Sequence, residues 1–154
     1  MALFNVRVYG ILLDEAQRLL VSDEFIRGHY ITKLPGGGLE IGEGTRDGLA
    51  REFMEEANIV VNVGDHFYTT DFFQISAFNN TDQIISIYYL VHTADTGKIK
   101  AKEKAFDFLP EEVEDSNGTA EHLRWIAFDE LHEDAMTLPI DKVAIKMLIE
   151  LFAE

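Results

Sequence analysis

A chain of 154 residues that is 47% apolar and 11% aromatic is long enough for one domain with a core, and too apolar to be disordered or fibrous. It contains no cysteine, which removes disulfides, thiolate metal sites and cysteine nucleophiles and suits a reducing cytosol. Its formal net charge of −15, from 28 acidic against 13 basic residues, repels polynucleotides and anionic lipid, so neither is expected as a partner.

The opening MALFNVRVYGILLDE lacks a basic segment before its short apolar runs, so no signal peptide is expected. No apolar stretch approaches the ~20 residues that span a bilayer, and a cytoplasmic location is expected. Neither a repeat nor a linker divides the chain, which predicts a single domain over residues 1–154. Asn5 to Leu13 and Leu19 to Phe25 are rich in β-formers around a polar turn, Asp14 to Gln17, and predict an opening hairpin. Tyr30 to Leu34 is a short extended piece stopped by Pro35 and three glycines. Thr45 to Ala57 predicts a helix. Ile59 to Val63 and Phe67 to Ala77 predict strands interrupted near Gly64, and Gln83 to His92 predicts a buried strand after the turn Asn79 to Asp82.

The segment from Asp95 to Ala120 is irregular, with Pro110, Gly118 and the acidic residues Glu111, Glu112, Glu114 and Asp115. A connection of this length is usually functional or mobile, and a role as a protein-interaction module stays open for it. Within it Lys98, Lys100, Lys102 and Lys104 alternate as on a protected edge strand. Glu121 to Phe128 predicts a strand and Asp129 to Asp134 a short helical turn. Leu138 to Phe152 predicts an amphipathic helix with its apolar stripe at 140, 143, 144, 147, 148 and 151. The sum is a mixed sheet with at least two helices packed on it.

The chemistry is concentrated between Gly37 and Ile59, in GGLEIGEGTRDGLAREFMEEANI. Helix positions i, i+3 and i+4 share a face, so Glu52, Glu55 and Glu56 crowd three carboxylates together. A hard divalent cation with oxygen ligands relieves their repulsion; a solvated acidic face paired with Arg or Lys is the bland alternative. Leu49, Phe53 and Ala57 form the apolar stripe, Thr45 is the expected N-cap, and Asn58 suits the left-handed residue that ends a helix. Upstream, Gly36, Gly37 and Gly38 allow backbone to approach a ligand or metal closely. Gly48 weakens the helix with no reason visible in the sequence.

With Gly37, Glu43, Arg51, Glu52, Phe53, Glu55, Glu56 and Ile59 in register, the segment resembles the Nudix box, G-x5-E-x7-R-E-U-x-E-E-x-G-U; Asn58 replaces the last glycine. The HLRWIAFDEL segment is similar to the Trp-containing strand and short helix that follow the box in that family. The resemblance implies an α+β fold, a Nudix-type α/β/α sandwich with a mixed central β-sheet. It implies hydrolysis of a nucleoside diphosphate linked to another group, with Mg²⁺ or Mn²⁺ as cofactor and a small-molecule nucleoside diphosphate derivative as partner. Glu52, Glu55 and Glu56, with the Gly36 carbonyl, become the metal ligands, and Glu55 and Glu56 the catalytic carboxylates. Arg51 is expected to orient a helix glutamate through a bidentate salt bridge, with Gly37, Gly38, Glu40 and Glu43 supporting the loop. The general base is not fixed by the box. Glu121 is the first distal candidate, Glu103, Glu112 and Glu114 are alternatives, and His122 has a suitable pKa.

Arg27 and Lys33 flank the loop as surface residues, and Tyr68, Phe72, Phe73, Phe78, Tyr88 and Tyr89 read mostly as core. The proline that ADP-ribose hydrolases of the family carry past the box is absent near Ile75. Ser76 stands where diadenosine polyphosphate hydrolases carry a tyrosine. The marks of coenzyme A and NADH hydrolases are missing too. Elimination points to a nucleoside triphosphate or a modified nucleotide. An ADP-ribose or nucleotide-sugar hydrolase and a non-catalytic nucleotide-binding domain are the alternatives. Dimers are common in the family, which leaves a homodimer open.

Overall fold

The computed structural model describes residues 1–153. In chain order its elements are β1 (Phe4–Leu12), β2 (Arg18–Ile26), β3 (His29–Lys33), β4 (Gly36–Gly38), α1 (Thr45–Ala57), β5 (Asn62–Thr69), β6 (Gln83–His92), β7 (Thr119–Ala127) and α2 (Pro139–Phe152), with single 3-10 turns at Thr96–Lys98, Pro110–Glu112, Phe128–Glu130 and Glu133–Ala135. The mixed α+β class holds, with the strands distributed over a four-stranded and a three-stranded sheet. Backbone packing gathers these into two compact units, Met1–Leu12 with Pro35–Thr96, and Leu13–Leu34 with the chain from Gly97 onward.

The first unit is built on the sheet β4-β1-β6-β5. Its central pair, β1 and β6, runs parallel over nine residues, from Phe4 opposite Gln83 to Leu12 opposite Val91. Both edges of β1 are therefore occupied, by β6 and by the antiparallel glycine strand β4. This overturns the predicted opening hairpin. β2 pairs instead with β3 and β7 in the other sheet, and the two arms of the Asp14–Gln17 turn meet at its base alone, by the bridge Leu13 to Leu19 and the Asp14–Arg18 bonds. The physical reason is burial. Val8 to Leu12 are buried without the alternation of a two-stranded ribbon, as a central strand requires. The strands expected at 59–63 and 67–77 are one strand, β5, with register shifts near His66; beyond Thr69 the chain follows β6 without a continuous ladder, through the Thr70–Ser86 bonds, the Gln74 carbonyl and the bridge Ile75 to Gln83.

The second unit is built on β3-β2-β7. Helix α2 buries Ile140, Asp141, Ala144, Ile145 and Leu148. The predicted stripe is shifted, since Met147 and Leu151 are exposed and Ile145 takes their place. Lys98 to Lys104 form no strand; only Lys102 bridges to Arg124 beside β7. The 3-10 turns at 128–130 and 133–135 match the helical turn expected there.

Candidate functional site

The glycine strand comes first, because the rest depends on its closeness. Gly36 has φ of +144°, and a Cβ there would run into the Val8 carbonyl oxygen. Only glycine lets β4 lie beside β1 at this point. At Gly37 a Cβ would fall 2.7 Å from Oε1 of Glu52, so the missing side chain leaves the space that the Glu52 carboxylate fills. The Gly36 amide donates to Oε2 of Glu56 at 3.2 Å. Two of the three box glutamates thus reach the glycine strand directly.

Helix α1 presents them. Asp47 stands in its first turn, where the helix dipole favours negative charge, and Leu49 and Phe53 are fully buried. Phe53 is larger than the aliphatic residue usual in its slot. Gly10 on β1 makes the room, since a Cβ there would lie 2.5 Å from the Phe53 ring. Asn58 ends the helix in the left-handed conformation, φ 53° and ψ 44°, as expected. Thr45, however, is not the cap. Gly44 holds that position, and the Thr45 hydroxyl bonds the Tyr89 hydroxyl at 2.6 Å. The Arg46 guanidinium lies 4.7 Å from the centre of the Tyr89 ring and donates to the Val63 carbonyl at 2.8 Å. The first turn is therefore fastened to β5 and β6 by side chains that no capping rule reveals.

Arg51 organises the acids. Its Nε and Nη2 donate to the two oxygens of Glu43 at 3.0 and 2.7 Å. Nη1 reaches Glu52 at 3.2 Å and both oxygens of Glu55 at 3.2 Å, and stands 3.6 Å from Glu40. Nη2 also donates to the Gly38 carbonyl at 3.1 Å. The bidentate pair expected with a helix glutamate is formed with Glu43 instead, because Glu43 lies across the fork while Glu52 and Glu55 share one nitrogen. Glu43 further accepts from the Glu40 amide at 2.8 Å, which closes the loop. The Arg51 fork, and then the Glu40 amide, hold the Glu43 carboxyl down at about 2. The fields of Glu43, Glu55, Glu52 and Glu40 push Arg51 upward. Gly48, unexplained in the sequence, acquires a reason here: a Cβ would meet Oε1 of Glu43 at 2.8 Å and Leu39 at 2.7 Å.

The donor set suits a hard divalent cation, because the two glutamates that reach the glycine strand, Glu52 and Glu56, offer only oxygens and the Gly37 gap admits the Glu52 carboxylate. Among the described residues no three carboxylates or imidazoles converge at metal-holding distance. Arg51 stands between them and acts as their counter-charge.

The distal base candidates, with Arg27 and Lys33, belong to the second unit. Glu121 is exposed on β7 in the second unit, opposite Glu24 in register. Glu112 is paired with His122 at 2.9 Å and accepts from the Leu109 amide, and these contacts, the amide first, lower its pKa. Glu103 and Glu114 are exposed. Lys33 is not a surface residue: it is buried in an ion pair with Glu24 at 3.1 Å. Arg27 is exposed at a turn. Tyr88 and Tyr89 are core, but Phe72, Phe73 and Phe78 are exposed, against expectation. Sequence reasoning also passed over Arg7, which pairs with Gly38 across the sheet and donates from Nε to the Tyr9 hydroxyl at 2.6 Å. An arginine within a strand carries no motif.

The fold has solved counterparts. The MutT protein from Methanosarcina mazei Go1 superposes with a TM-score of 0.68 at 18% identity, covering 99% of this chain and 98% of that one. The ORF135 protein of E. coli gives 0.66 at 16% identity over 99% and 93%. An ADP-ribose pyrophosphatase from Streptococcus suis 89-1591 gives 0.56 at 14% identity over 97% and 92%. Comparison with curated protein sequences gives no significant match. The NUDIX domain model matches residues 3–148. A match over nearly the whole chain shows that it belongs to the NUDIX domain family and is a Nudix hydrolase.

Proposed function

We propose that residues 1–154 act as one metal-dependent pyrophosphohydrolase domain, cleaving the P–O–P link of a nucleoside triphosphate or modified nucleotide by attack of water. The observation that carries this is the packing of Glu52 into the Gly37 gap, with Glu56 tied to the Gly36 amide. Glu52, Glu55 and Glu56, with the Gly36 carbonyl, are the residues that would hold Mg²⁺ or Mn²⁺. When bound, such an ion polarises phosphoryl oxygens and neutralises the charge that develops on them. The chain's own part is positional. Arg51 keeps Glu52 and Glu55 at the face of α1, Glu43 keeps Arg51 in place, and the glycine strand admits the carboxylates without a steric barrier. Glu55, whose side chain is 57% exposed, is the box carboxylate open to a water molecule.

MutT proteins, an ADP-ribose pyrophosphatase and a UDP-X diphosphatase share the fold. The test is therefore phosphate release from a panel of triphosphates, modified triphosphates, ADP-ribose and UDP-sugars, with Mg²⁺ or Mn²⁺ and with EDTA. Turnover of a triphosphate that stops in EDTA supports the reading. Turnover confined to ADP-ribose or UDP-sugars corrects the substrate, and none on any member refutes the proposal. Glu121→Gln in the same assay assigns the distal base. A loss of about 10² or more in kcat gives that role to Glu121, and a loss below about threefold leaves it with Glu55 or Glu56.

A further inference from the structure

Thr45, Leu49 and Phe53 follow one another at intervals of four, so one face of α1 turns all three towards the sheet. Leu49 and Phe53 are fully buried, whereas Thr45 brings a hydroxyl, and its partner is the Tyr89 hydroxyl at 2.6 Å. Gly10, against which the Phe53 ring rests, is the register partner of Tyr89. One rung of the sheet therefore meets the helix twice, under Phe53 and under Thr45, at points ~12 Å apart along the helix axis. On β5 the rung continues in His66, which lies edge-on to the Tyr89 ring with centroids 5.9 Å apart and bonds Thr69 at 2.7 Å. Tyr89 is buried, which leaves its ring little room to swing.

Arg46 closes the arrangement. Its guanidinium packs on the Tyr89 ring and donates to the carbonyls of Val63 and Gly64. Those carbonyls stand where β5 sets Gly64 and Asp65 opposite Leu90, between the pairs Val63–Val91 and His66–Tyr89. Such a bulge re-aims the strand, and here it turns backbone oxygens to α1. The carboxylates of Glu52, Glu55 and Glu56 lie within one turn of Phe53, the pivot of the helix. A tilt on the order of 10° about that pivot moves them by about 1 Å, and a misplacement of about 1 Å costs on the order of 10²-fold in turnover. A hydrogen bond between hydroxyls tolerates about 0.5 Å of stretch, which over a lever of ~12 Å limits the tilt to about 2°. The contact of Glu56 with the Gly36 amide belongs to the site itself; the Thr45–Tyr89 bond is a tie outside it.

We infer that Tyr89 is a positioning residue of the carboxylate site: through the Thr45 hydroxyl it holds α1 at the angle that keeps Glu52 and Glu56 against the glycine strand, a role that rests on the proposed metal ligands. Mn²⁺ binding by the free protein, read from the electron paramagnetic resonance signal of unbound Mn²⁺, tests it beside thermal melts. Tyr89→Phe deletes one oxygen and Thr45→Val keeps the size of the side chain, so each is expected to melt within about 4 °C of the wild type. Each is expected to weaken Mn²⁺ binding about tenfold, as the loss of a group that orients metal ligands does. Thr45→Ser, which keeps the hydroxyl, retains wild-type affinity, and the double variant Tyr89→Phe, Thr45→Val binds no more weakly than either single one, since all remove the same bond. If one variant fails to fold, the other decides. Wild-type affinity in Tyr89→Phe and Thr45→Val overturns the inference, as does a double variant whose losses multiply. If Glu56→Gln loses Mn²⁺ while those two keep it, the metal ligands stand and the role of Tyr89 falls. A wild type that binds no Mn²⁺ removes both together.

Discussion

Arg51 grips Glu43 through both branches of its guanidinium fork. Their bidentate contact holds Glu43 at about 2, below its ordinary 4.5. A carboxyl depressed in the folded state contributes stability that is complete above its unfolded value and is lost as pH falls through its folded value. The contribution should therefore fade between about 4.5 and 2. Glu43→Gln is expected to lower the melting temperature at pH 7 and to match the wild type near pH 2. A gap that persists unchanged at pH 2 would show that Glu43 stabilises by packing rather than by charge. The role of Glu43 was legible in the box only as support for the loop. That it, rather than a helix glutamate, takes the guanidinium fork depends on which carboxylate folds across Arg51, and spacing does not encode that.

At the scale of elements, α1 was readable from end to end except at its start. The acid face, the apolar stripe of Leu49 and Phe53 and the Asn58 terminus follow from local rules. The attachment of Thr45 and Arg46 to Tyr89 does not, because Tyr89 is 44 residues from Thr45 in sequence. The fit of Phe53 against Gly10 is equally non-local. It predicts coupling. Gly10→Ala forces a methyl group into the Phe53 ring and should cost about 1–3 kcal/mol in urea unfolding. Phe53→Leu in the same chain should recover part of that loss, the Val91 methyl 2.7 Å from the added Cβ keeping the rest, and additive effects of the two substitutions would sink the packing argument. The strands were located well but paired wrongly. Sequential neighbours β1 and β2 looked like a hairpin, and the parallel pairing of β1 with β6 spans some 80 residues with no local trace.

For the whole molecule, composition and charge narrowed the partners before any element was placed, and the family lay open in one contiguous segment. What was hidden is what several segments make together: the exposure of Phe72, Phe73 and Phe78, the buried Lys33–Glu24 pair and the choice of Glu43 for the Arg51 fork. In the proposed reaction the carboxylates of α1 bind the cation on which hydrolysis depends. This is tested most directly by measuring kcat/KM with Mn²⁺ for the wild type and Glu56→Gln on whichever nucleotide the panel selects. A loss on the order of 10² or more is expected with the fold intact, several kcal/mol of charge stabilisation having been removed. Equal values for the two proteins, or wild-type turnover unchanged by EDTA, would contradict it.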